Sequence, residues 1–167
     1  ARLLKAVGII FEYIRDPAST AVVHNAWAMP CYDAEIASVV ADPSRVIGMH
    51  WFNPPVIMKL IEIVRGLSTS DAVVEAIRAF AATVGKEIVV CKDSTGFIST
   101  RVLLALRLEC YRLYEEGIAS KEDIDKTLKL AFGHPMGQFE LADFSGLDIE
   151  PPSCESLTKI FGDRFRP

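Results

Sequence analysis

The sequence predicts an α/β region over residues 1–92 followed by an all-helical region over residues 93–167. Three observations predict it. Helix-period and strand-type apolar runs alternate from Leu3 to Cys91, which argues for layered helix and strand. No strand-type run appears after Cys91. Between the two textures lies a turn, Asp93-Ser94-Thr95-Gly96, from which a long helical pattern departs.

Leu3, Leu4, Val7, Ile10, Phe11 and Ile14 recur at helical spacing, so a first helix is expected there, stopped at Asp16-Pro17 because the residue before proline is pushed out of the α region. Ala21-Val22-Val23 reads as a short buried strand. Asp33 is a candidate N-cap for a helix over 34–41, ended by Asp42-Pro43. Strands are expected over 45–51 and 60–64, with Asn53-Pro54-Pro55 breaking regular structure between them. A helix follows from the Ser70 cap, with Val74, Ile77, Phe80, Ala81 and Val84 as its apolar stripe and Gly85 closing it. Residues 87–91 read as a further strand.

From Phe97 to Glu116 the pattern is one long helix with Ile98, Val102, Ala105, Leu106, Tyr111 and Leu113 as a broad apolar surface. Such a helix packs against several neighbours, a second subunit among the candidates. Ser120 caps the next helix, which carries acids in its first turn and ends near Phe132-Gly133. A short helix is expected through Phe139, Leu141, Ala142 and Phe144. The tail from Glu150-Pro151-Pro152 onward is weakly patterned. The acidic cluster Glu115, Glu116, Glu122, Asp123 and Asp125 reads as a solvated face.

Composition excludes several function classes. Half of the 167 residues are hydrophobic, enough for a packed core. A net charge of −4 offers no broad basic field for nucleic acid or an anionic membrane. No apolar run reaches the roughly 18 residues of a spanning helix. Arg2, Lys5, Glu12, Arg15 and Asp16 are spread through the start, unlike the charge pattern of a signal peptide. Cys31, Cys91, Cys110 and Cys154 stand far apart, with no paired spacing and no nearby histidine. They read as reduced thiols of a cytoplasmic compartment, and no metal site is expected.

The stretch richest in chemistry is Gly48-Met49-His50-Trp51-Phe52-Asn53-Pro54-Pro55, followed by Met58-Lys59-Leu60-Ile61-Glu62-Ile63-Val64. A histidine at the mouth of one strand and a glutamate within the next can form an acid–base pair. The carboxylate takes the proton of one imidazole nitrogen and leaves the other as the base. Among Leu60, Ile61 and Ile63 the carboxylate needs a partner. Spacing alone also allows a His50 satisfied by backbone and a Glu62 facing solvent, because strands alternate faces.

His50-Trp51-Phe52-Asn53-Pro54-Pro55 and the following 58–64 segment resemble the 3-hydroxyacyl-CoA dehydrogenases, in the same register. So do residues 92–98, 119–125 and 133–143, and the ordered motifs extend from about residue 45 to residue 148. The resemblance implies the end of a Rossmann-type NAD-binding domain over 1–92 and a helical dimerisation and substrate domain over 93–167. It implies NAD-dependent oxidation of a 3-hydroxyacyl-CoA in fatty acid metabolism, by a homodimer formed through the helix starting at Phe97.

Residue by residue, His50 would be the general base that takes the proton of the 3-hydroxyl, and Glu62 its orienting carboxylate. Asn53 would hold the reacting region near the nicotinamide, and Asn25 would lie on the cofactor side. Two positions depart from the family. Thr100 stands where the family has an asparagine near the substrate carbonyl, and Trp27 where it has a serine near the substrate hydroxyl. Both changes bear on substrate more than on proton transfer, and motivate a related dehydrogenase of another small hydroxy compound as an alternative. None of the ten glycines forms a Gly-x-Gly turn, so the pyrophosphate cradle of a dinucleotide fold is missing. The chain is therefore expected to be a fragment, or a dimerisation module without catalysis.

Overall fold

The protein is described by a computed structural model, covering residues 4–6, 9–11, 22–23, 37–38, 40–147 and 150–167. It divides into two compact units, Ala1–Ile98 and Ser99–Pro167.

In the first unit, β1 (Leu4–Ala6) and β2 (Ile9–Phe11) pair antiparallel. This corrects the helix expected over Leu3–Ile14. The run is short and contains β-branched Ile9 and Ile10, so paired strands satisfy it as well as a helical stripe does. The helix expected over 34–41 falls largely outside the described residues.

A four-stranded sheet follows in the order β3 (Val22–Val23), β4 (Gly48–Trp51), β5 (Leu60–Arg65) and β6 (Glu87–Lys92). β4 runs antiparallel to β5 and parallel to β3, while β5 and β6 are parallel. The parallel pair is joined by α1 (Asp71–Thr83), the crossover such a pair requires. Met49, Ile61 and Ile63 alternate onto one sheet face and pack with Val74 and Ala81 of α1. Each fully buried aliphatic side chain there contributes about 1.5–3 kcal/mol. Phe80 and Val84 are about half exposed, so the α1 stripe is narrower than its apolar spacing suggests. Among the described residues, α1 meets the sheet through Val74 and Ala81 with the adjoining Val73 and Ile77.

The second unit is helical, with no strand among its described residues. It comprises α2 (Ser99–Glu115), α3 (Lys121–Phe132), α4 (Gln138–Ser145) and α5 (Glu150–Phe161). α3 begins as expected: Ser120 Oγ accepts the Asp123 N–H at 3.1 Å. It ends on Gly133 at φ 73°, a left-handed turn that glycine enters without a Cβ clash. Leu104 and Leu108 of α2 pack against Cys154, Leu157 and Phe165. Cys110 packs with Ile124 and Leu128 of α3.

Three features depart from expectation. α5 occupies the weakly patterned tail: Pro151 and Pro152 lie in its first turn, where a missing N–H costs nothing. Val102 of α2 is 63% exposed, while the buried side runs through Leu104, Arg107, Leu108 and Cys110. Asp125 is buried rather than solvated, and its carboxylate accepts the N–H groups of Phe139 (3.0 Å) and Glu140 (2.9 Å). It thereby caps α4 from another helix, in place of Gly137, which has no side chain to do so. A Cβ at residue 137 would overlap that carboxyl, so Asp125 and Gly137 fit as a pair.

Candidate active site

The antiparallel register of β4 and β5 pairs Gly48 with Val64 and His50 with Glu62. Residues opposed in this way share a face, with Cβ atoms about 4.5–5.5 Å apart. Their neighbours Met49, Ile61 and Ile63 enter the core beneath α1, so His50 and Glu62 lie on the other face of the sheet. Gly48 brings the strands close: a Cβ there would stand 2.8 Å from Val64 Cβ.

His50 Nδ1 lies 2.6 Å from Glu62 Oε2, with the two residues 5% and 1% exposed. An ionised carboxylate only accepts, so Nδ1 carries the shared proton as donor. Nε2 is left as the acceptor, and the carboxylate gains the partner that burial demands. Two rings flank the imidazole, Phe52 at 4.9 Å and 45° and Phe97 at 5.6 Å and 53°.

The loop leaving β4 is held from below. The N–H groups of Ile57 and Met58 both bond the Pro54 carbonyl at 3.0 Å. Lys86, next to the Gly85 turn, donates to the carbonyls of Pro55 and Met58, the latter at 2.7 Å. Cys91 opposes Val64 on the His50 face. Burial, then the charges of Glu62 and Asp93, push its thiol up to about 11, so it stays protonated and unreactive near neutral pH.

The structure thus brings His50 and Glu62 together. Asn53 is exposed at the start of the loop, before a cis bond to Pro54. Thr100 lies in the first turn of α2, in the second unit, and is half-buried. Asn25 and Trp27 lie outside the described residues. No group of His, Cys, Asp or Glu able to hold a metal ion occurs among the described residues.

Sequence reasoning missed Phe52 and Phe97 as neighbours of the pair. Phe52 had a signal, since it stands two residues after His50 and so falls on the same side of an extended chain. Phe97 comes from a distant turn and had none. In the second unit it missed the ion pair of Arg107 with Glu150, whose carboxylate also accepts Tyr111 Oη at 2.9 Å. Arg107 Nε donates further to Gln138 at 3.3 Å.

The family model described as 3-hydroxyacyl-CoA dehydrogenase, NAD binding domain, matches residues 18–94. The model of the 3-hydroxyacyl-CoA dehydrogenase C-terminal domain matches residues 96–167. A probable 3-hydroxybutyryl-CoA dehydrogenase of Bacillus subtilis is 43% identical over 152 residues, covering 90% of this chain and 52% of that protein. The human mitochondrial hydroxyacyl-coenzyme A dehydrogenase is 47% identical over 113 residues, 68% of this chain and 36% of that protein. Among solved structures, the (S)-3-hydroxybutyryl-CoA dehydrogenase of Ralstonia eutropha is similar with a TM-score of 0.81 and 35% identity, over 91% of this chain and 53% of that one. The chain therefore spans about half the length, or less, of these relatives. Its two units match in order the two domains of one family, and the chain belongs to the 3-hydroxyacyl-CoA dehydrogenases.

Proposed function

We propose that this chain carries the acid–base machinery of an NAD-dependent 3-hydroxyacyl-CoA dehydrogenase, which oxidises a 3-hydroxyacyl-CoA to the 3-ketoacyl-CoA in fatty acid metabolism. The observation that carries the reading is the buried 2.6 Å contact of His50 with Glu62 on the strand face away from α1. Nε2 of His50 takes the proton of the substrate's 3-hydroxyl as the C3–H bond breaks, and returns it in the reverse direction. Glu62 holds the ring in the tautomer that keeps Nε2 free, and stabilises the imidazolium as it forms.

NAD, when bound, supplies the hydride acceptor. The described residues do not fit its pyrophosphate end. Gly48 is packed against Val64 inside the sheet, and Gly66, Gly85 and Gly96 stand singly in turns rather than in a Gly-x-Gly cradle. Asn53, exposed beside the His50 strand, is proposed to contact substrate and cofactor, Thr100 and Trp27 to contact substrate, and Asn25 to contact cofactor.

The second unit supports pairing with a further copy. Val102 of α2 is 63% exposed, and Leu130, Phe132 and Phe144 are each more than two-thirds exposed. Cys91, Cys110 and Cys154 are free thiols, which supports a reducing, cytoplasm-like compartment. The reading is tested by NADH formation from 3-hydroxybutyryl-CoA, using the protein as its native gene encodes it. Turnover that His50→Ala lowers by about 10² to 10⁴ supports it, and turnover indifferent to that change rejects it.

A further inference from the structure

We infer that Phe97 is a positioning residue for His50, resting on the reading of His50 as the base. Two independent observations meet on it. Phe97 is the one residue other than glycine with positive φ among the described residues, at φ 43°. A bulky side chain in the left-handed region is a genuine outlier, costing the fold free energy unless something returns it. Its ring is also one of the two that flank the His50 imidazole, 5.6 Å between centroids and tilted by 53°.

The local chain explains how the conformation is held. The Phe97 N–H bonds the Ser94 carbonyl at 2.9 Å, closing a turn immediately after β6. Gly96 precedes it at φ 75°. Two successive left-handed residues reverse the chain and deliver the ring to the His50 side of the sheet. Glycine at residue 97 would relieve the backbone but leave the imidazole with one ring neighbour in place of two. Phe97 stands here against its backbone preference, and its ring supplies a contact that glycine cannot.

What it does follows from the geometry of the pair. One hydrogen bond, Nδ1 to Glu62, fixes a point on the imidazole but lets the ring swing about it. Phe52, at 45° to the imidazole, and Phe97, at 53°, bound that swing and keep water off the ring. The direction of Nε2 is then set before substrate arrives, which is where orientation contributes most to rate.

The test is the ring ¹⁵N spectrum of His50 in the purified protein, with Phe97→Ala, Phe97→Gly and Phe97→Tyr beside the parent. The parent and Phe97→Tyr are expected to give one sharp signature with the proton retained on Nδ1. Phe97→Ala and Phe97→Gly are expected to give an averaged, broadened one, although Phe97→Gly melts higher than Phe97→Ala because its backbone is relaxed. If Phe97→Gly restores the sharp signature, backbone strain alone is responsible and the inference fails. It fails equally if Phe97→Ala leaves the signature unchanged while the first unit stays folded. In NAD-dependent oxidation of 3-hydroxybutyryl-CoA, Phe97→Ala lowers kcat by about ten- to a hundredfold with KM little changed, and Phe97→Tyr restores it. A parent without turnover would reject the proposed function, while the ring spectrum would still decide the role of Phe97.

Discussion

Each unit of the molecule buries a carboxylate against a basic side chain, and the two pairs end differently. In the second unit, Glu150 meets Arg107 and Tyr111, and Arg107 also meets Gln138. A guanidinium cannot give up its proton near neutral pH, so this network closes on itself and ties α2 to α4 and α5. In the first unit, Glu62 meets an imidazole that keeps a second nitrogen for another partner. One buried pair holds elements together; the other, on the proposed reading, passes a proton. The difference lies in the basic residue chosen, since both carboxylates are buried.

The comparison can be broken at either end. His50→Gln retains an N–H for Glu62 but removes the base, so turnover of 3-hydroxybutyryl-CoA should fall by about 10² to 10⁴ while the melting temperature changes little. Steady-state kinetics beside a thermal melt check both halves. Glu150→Ala should do the opposite. Leaving Arg107 buried without its carboxylate should cost about 3–5 kcal/mol of stability, read by denaturant unfolding of the second unit. The double change Arg107→Met with Glu150→Leu should recover most of that loss, because an apolar pair of similar volume replaces the ions. Recovery would mark the pair as structural, whereas no such apolar replacement at His50 and Glu62 should restore turnover.

Smaller effects sharpen the picture. Asp125→Ala uncaps α4 and should cost about 1–2 kcal/mol. Gly137→Ala should cost about 1–3 kcal/mol by pushing that same carboxyl aside. The two losses should add to less than their sum in a double-mutant cycle, since each disrupts one contact. The smallest effect concerns Cys91, whose thiol is raised in the fold to about 11, first by burial and then by the charges of Glu62 and Asp93. Stability from the protonated thiol is fully present below the ordinary cysteine value and is lost as pH rises through about 11. Alkylation of Cys91 near pH 8 should therefore be slower than that of an unfolded cysteine, and Cys91→Ser should flatten the alkaline decline in melting temperature.

Much of this was legible in the residues. The β4 and β5 strands, the Ser120 cap and the Gly133 stop follow from local patterning that the packed structure keeps. His50 and Glu62 were legible as a candidate pair, but not their shared face. That depends on the register of β4 on β5, which neither strand's own sequence carries. α5 was hidden because Pro151-Pro152 reads as a breaker unless it falls in a first turn. Asp125 and Arg107 were hidden for a common reason. A charged residue on a helix reads as solvent-facing, and only the partner that arrives from elsewhere in the fold reverses that. The opening strand pair shows the converse case, in which a short apolar run fits two periods and local sequence does not choose.

The most direct test is kcat/KM for 3-hydroxybutyryl-CoA oxidation by Glu62→Gln beside the parent protein. If Glu62 orients His50 as the base, the amide variant should lose at least about tenfold. A Glu62→Gln protein with the parent's rates would contradict a catalytic role for the buried pair.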